Sequence, residues 1–127
     1  MEEKLATLKA KLADVKNLGE ASALLSWDQQ VLMPPGGAEA RAEQLATLDK
    51  LAHEMFITDE IGTLLDDLAG AGFEADSDEA RLIQVTRRDY EKARKLPPHL
   101  VVELSRTTSL GQQIWATARE AKDFSQF

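Results

Sequence analysis

The 127-residue sequence contains no cysteine, one tyrosine and two histidines. Without cysteine there is no disulfide, no thiolate metal site and no cysteine nucleophile. Basic residues are also in short supply, with 15 Lys and Arg against 22 Asp and Glu and a net charge of -7. That balance argues against nucleic-acid or anionic-membrane partners, because phosphate contacts need clustered Lys and Arg. It reads as a solubility property. No apolar run approaches the roughly 20 residues that span a bilayer. The N-terminus, Met1-Glu2-Glu3-Lys4, lacks the basic segment and long apolar run of a signal peptide. A cytoplasmic location is expected. Catalytic signatures are missing too, with no Gly-x-Ser-x-Gly elbow and no Gly-rich phosphate loop.

What remains is an ordinary globular composition, 43% hydrophobic and 29% charged, in a length suited to one domain over residues 1–127. Every long segment has helical period and none alternates like a strand. Leu5, Leu8, Leu12 and Val15 form one stripe, and Asn17-Leu18-Gly19 offers a stop. A second helix from Glu20 would bury Ala21, Leu24, Leu25, Trp27, Val31 and Leu32, ending near Met33 before the prolines. A third starts at Gly36-Gly37 and carries Ala38, Ala42, Leu45, Leu48, Ala52, Met55 and Phe56. Thr58 or Asp59 caps a fourth, with Ile61, Leu64, Leu65 and Leu68 inward. Asp76 and Glu79 have capping-box spacing for a fifth, through Ile83, Val85 and Tyr90 to Lys95. Pro97-Pro98 opens a sixth, holding Leu100, Val101, Leu104, Gly111, Ile114, Trp115 and Ala118. Short connections favour an all-α fold of about six helices in antiparallel hairpins, a helical bundle or array.

The densest segment runs Ser26-Trp27-Asp28-Gln29-Gln30-Val31-Leu32-Met33-Pro34-Pro35-Gly36-Gly37, then Ala38-Glu39-Ala40-Arg41-Ala42-Glu43-Gln44. Two prolines and two glycines enforce a corner between helices. Asp28 and Arg41 flank it and are expected to form a structural ion pair. Trp27 and Trp115, spaced with leucines and alanines, read as core anchors. His53-Glu54-Met55-Phe56-Ile57 begins like the zinc motif H-E-x-x-H and fails where the second histidine should stand. His99 has no histidine four residues away. The acidic cluster from Asp59 to Glu79 reads as helix starts and a solvated face. The basic run from Arg87 to Lys95 reads as a helix C-terminus paired with those acids. No catalytic and no metal-binding residue is assigned.

Three groups of residues resemble the carboxypeptidase Taq family of zinc metallocarboxypeptidases. The first is Trp27-Asp28 with Met33-Pro34, Gly37, Arg41, Gln44 and Leu48. The second is His53 with Asp59, Ile61 and Gly62. The third is the ending from Trp115 to Phe127, where Trp115, Arg119, Asp123 and Phe124 carry the pattern. The resemblance implies the N-terminal domain of a longer, nearly all-helical enzyme that removes C-terminal residues from peptides. These signature residues are expected to be structural, since the family's H-E-x-x-H and further ligands lie downstream of anything matched. The pattern breaks off at Phe127, which reads as a boundary inside a longer protein or a truncated gene product. The resemblance implies no cofactor in this chain, zinc in the parent, and as partners the rest of that parent and its peptide substrates. Apolar residues around Met55 and Phe56, and around Ile114, Phe124 and Phe127, would support a homodimer. The other reading is a free-standing helical interaction module without catalysis.

Overall fold

No proline precedes Pro34, and Leu5, Leu8, Leu12 and Val15 keep helical spacing without interruption. In the computed structural model, which describes residues 1–127, they lie on a single helix, α1, from Glu2 to Val31. The expected stop at Asn17-Leu18-Gly19 does not occur. Glycine permits a left-handed C-cap without imposing one, and inside a helix it costs only about 1 kcal/mol relative to alanine. Gly19 stays in the helix with open space where a Cβ would be. The six expected helices are therefore five: α1, then α2 (Ala38–Phe56), α3 (Asp59–Ala69), α4 (Asp78–Ala93) and α5 (Pro98–Ala121). The fold is all-α, with no strand.

Local chemistry explains the boundaries. Pro34 forbids continuation of α1, Pro35–Gly37 forms a 3-10 turn, and α2 follows at once. Thr58 caps α3 through its side chain, which accepts from the Ile61 amide. At α4 the cap is Ser77, whose Oγ accepts from the Ala80 amide at 3.2 Å. The expected Asp76–Glu79 box is thus displaced by one residue, and Asp76 pairs with Arg81 at 3.0 Å instead. α4 ends at Ala93, short of Lys95, because the chain tightens ahead of Pro97-Pro98. Pro98 then occupies the first turn of α5.

The side-chain pairs give the register. Asp28 and Ser22 of α1 meet Arg41 and Asp49 of α2, so the two helices run antiparallel across the corner. Lys4 and Lys11 of α1 meet Asp67 and Glu60 of α3 in the same sense. Arg87 and Arg94 of α4 meet Asp66 and Asp59 of α3, which is the pairing expected for the basic run. Glu43 and Asp49 of α2 meet Arg106 and Ser105 of α5. The N-terminal half of α1 thus packs on α3, which packs on α4, while α2 lies between the C-terminal half of α1 and α5.

These two halves are held by different physics. The first is an apolar cluster of Leu5, Leu8, Ile61, Leu64, Leu65, Leu68, Ile83 and Tyr90. Gly62 belongs to it by close approach: a Cβ there would lie 2.5 Å from the Tyr90 hydroxyl, which donates to the Thr58 carbonyl. The second half is a seam of small and polar side chains. Asp49 accepts from Ser22 at 2.8 Å and from Ser105 at 2.7 Å, among Ala38, Ala42, Leu45, Ala46 and Ala118.

The expected burial of the second helical segment fails here. Of Ala21, Leu24, Leu25, Trp27, Val31 and Leu32, only Leu25 is half-buried. Ser22 and Gln29 take the inward positions, because α2 and α5 offer hydrogen-bonding partners on that side. Leu104 of α5 and Val85 of α4 are likewise exposed. On α2, by contrast, Ala38, Ala42 and Leu45 are buried and Leu48, Ala52, Met55 and Phe56 are half-buried.

Candidate functional site

The corner between α1 and α2 gathers most of the signature residues. Arg41 reaches back from the first turns of α2 to bond two groups of α1 and one of α2. Its Nη2 donates to Asp28 Oδ2 at 2.7 Å, its Nη1 to the Leu25 carbonyl at 2.6 Å, and its Nε to Gln44 Oε1 at 3.2 Å. The Arg41 side chain is only 14% exposed. A planar guanidinium suits this task, since its fork can serve a carboxylate and a carbonyl together. The expected ion pair is present, and each of the three Arg41 nitrogens is engaged within the corner.

The turn itself is closed by backbone bonds. The Leu32 and Met33 amides donate to the Asp28 carbonyl, and the Gly37 amide donates to the Pro34 carbonyl at 2.9 Å. Gly37 sits in close approach: a Cβ there would meet Met33 Cγ at 3.1 Å, so the Met33 side chain would have to give by a few tenths of an ångström. Gln113 of α5 donates to the Pro35 carbonyl at 3.2 Å, and Gln29 and Ser109 exchange two hydrogen bonds. Gln29, Gln113 and Asp49 were absent from the sequence-based set. Polar residues on a helix carry no periodic signal of the partner they will meet, so nothing in the pattern marks them.

Trp27, read as a core anchor, is 55% exposed, and Trp115 is 37% exposed. Both readings are corrected. Helical spacing with leucines identifies an apolar stripe but does not say which body covers it. Trp115 carries the Arg119 guanidinium 5.3 Å from its ring centroid. Beyond it, Lys122 adopts φ 54°, ψ 32° and closes α5. Asp123 then accepts from the Ser125 amide at 3.0 Å, and Ser125 holds its carboxyl below the usual carboxylate range. Phe124 is exposed. This C-terminal group lies on α5 and its tail, apart from the Asp28–Arg41 pair.

The donors needed for a metal do not assemble. No group of three His, Cys, Asp or Glu residues lies close enough to hold an ion. His53 is half-buried with its Nε2 on the Leu96 carbonyl at 2.8 Å, tying α2 to the segment before Pro97. His99 is exposed at the start of α5. These residues do not fit a zinc site. No helix is long and apolar enough to cross a membrane.

The sequence model described as Carboxypeptidase Taq (M32) metallopeptidase matches residues 7–127. The chain belongs to this family. It is 36% identical over 112 residues to thermostable carboxypeptidase 1 of Thermus thermophilus, covering 87% of this chain and 22% of that protein. It is 31% identical over 125 residues to thermostable carboxypeptidase 1 of Pyrococcus furiosus, covering 98% of this chain and 25% of the relative. The crystal structure of BsuCP superposes with a TM-score of 0.91 over 97% of this chain, at 24% identity, and shows the same fold. The chain spans about a quarter of the length of these relatives.

Proposed function

We propose that this chain is the N-terminal helical part of a metal-dependent carboxypeptidase, a peptidase that releases C-terminal residues from peptides. The observation that carries the reading is the family match from residue 7 to 127, set beside a chain about one quarter as long as the relatives. Metal and general base, zinc and glutamate by analogy with the family resemblance, are supplied by sequence outside these residues. Within them no group of three His, Cys, Asp or Glu stands close enough to hold an ion. The work of this part is mechanical. The corner pinned by Arg41 and the polar seam around Asp49 hold α1, α2 and α5 in fixed register, so that α1 and α5 shape and support one wall of a peptide groove.

Two measurements test this. The isolated chain is expected to retain no stoichiometric metal after dialysis and to leave a blocked dipeptide intact, for want of a three-ligand site. One tightly held metal with chelator-sensitive trimming would overturn that assignment. The reading frame of the gene is expected to run past the Phe127 codon into an H-E-x-x-H. A stop codon directly after Phe127 would favour the free-standing interaction module.

A further inference from the structure

Charge is distributed unevenly over this molecule. The N-terminal half of α1, α3 and α4 carry lysine, arginine, aspartate and glutamate along their outer faces, as solvated helices do. Residues 21–37 and 107–118 together hold one charged residue, Asp28, which is committed to Arg41. At the overall 29% charged content, about eight would be expected in stretches of that length. The fold brings both stretches to the same end, through the Gln29–Ser109 pair and the Gln113–Pro35 bond.

The exposed side of α1 at that end is apolar. Leu24, Trp27 and Val31 fall at i, i+3 and i+7 on one stripe, with Leu32 beside them at 71% exposure. The opposite side of the same helix packs on α2 through Ser22 and Leu25. A helical stretch that packs on a neighbour on one side and is apolar on the exposed side is characteristic of an element covered by protein there too. The area agrees. The chain exposes 8535 Å², whereas a compact monomer of 14.0 kDa exposes about 6,700 Å². The excess, roughly 1,800 Å², is more than twice the roughly 800 Å² that each partner contributes to a standard protein–protein interface.

We propose that the Leu24, Trp27, Val31 and Leu32 stripe is the seam on which the remaining three quarters of an M32 carboxypeptidase polypeptide docks, through an apolar, charge-free face of its own. This rests on the reading of the chain as the N-terminal part of such an enzyme. The relatives are about four times as long as this chain, so roughly three further chain-lengths of polypeptide are there to supply the missing cover.

The test uses chain 1–127 labelled with 5-fluorotryptophan, which gives one fluorine resonance for each of Trp27 and Trp115, assigned with a Trp115→Phe variant. The probe is the part of Thermus thermophilus carboxypeptidase 1 that this chain does not match, expressed separately and confirmed folded by circular dichroism. Adding it is expected to shift the Trp27 resonance and protect it from solvent. Leu24→Glu with Val31→Glu is expected to weaken the complex on the order of a hundred-fold, since unpaired carboxylates would be buried. Leu51→Glu with Val85→Glu, on exposed positions elsewhere, should leave binding unchanged. A Trp27 resonance that does not move, or binding indifferent to the first pair of glutamates, would overturn the seam. So would a dimer of chain 1–127 that persists at nanomolar concentration with Trp27 buried in it. Peptidase activity is read separately: an assembled pair that binds through Trp27 yet trims no peptide supports the seam and refutes the enzymatic reading.

Discussion

Arg41 and Trp27 sit on the two helices that flank the corner and show opposite faces of sequence legibility. The Asp28–Arg41 pair could be read in advance, because a forced corner leaves the two flanking charges little choice of partner. Replacing Arg41 with alanine strands a half-buried carboxylate and the Leu25 carbonyl, so we expect a loss of about 1–3 kcal/mol in urea unfolding. Lysine should not restore it, since an ammonium lacks the fork that reaches both acceptors. Trp27 could not be read in this way. Its apolar spacing was legible, but spacing does not say that α2 and α5 leave this stripe uncovered. With more than half its surface exposed, Trp27→Ala should cost less than about 1 kcal/mol in the isolated chain. A cost near the roughly 3–5 kcal/mol of a buried aromatic would show that the ring is enclosed after all.

Among the helices, those with a single obvious boundary were legible and those with ambiguous punctuation were not. α3 has a threonine cap, an apolar stripe of Ile61, Leu64, Leu65 and Leu68, and a glycine-rich end, and it forms as read. α5 starts at Pro98 because two prolines leave no other solution. α1 was divided in reading because Asn17-Leu18-Gly19 imitates a C-cap, and what decides the matter is long-range. α1 packs on α3 at one end and on α2 at the other, so both of its halves are held in line. Gly19→Ala tests continuity directly. In a continuous helix with nothing within 4 Å of the new methyl, alanine should add about 0.5–1 kcal/mol of stability by denaturant melting. A loss on substitution would mean that the backbone at Gly19 needs glycine, as a break would.

At the scale of the whole molecule, only 16 of 127 residues are buried, and the apolar core is confined to α1, α3 and α4. The end with the family signature has a polar seam inside and an apolar stripe of Leu24, Trp27, Val31 and Leu32 outside, the reverse of a self-sufficient globule. Fold class was legible because helical period is a local property. The role of the signature was legible only through family resemblance, since Trp27, Met33, Pro34 and Gly37 carry no reactive group. The proposed role therefore belongs to a larger body, in which these helices would form one wall of the peptide groove. The most direct test replaces the matched stretch of Thermus thermophilus carboxypeptidase 1 with this chain and measures release of the C-terminal residue from a blocked dipeptide. The account expects a soluble hybrid whose activity is abolished by a chelator and restored by metal. A folded, metal-loaded hybrid that releases nothing would contradict it.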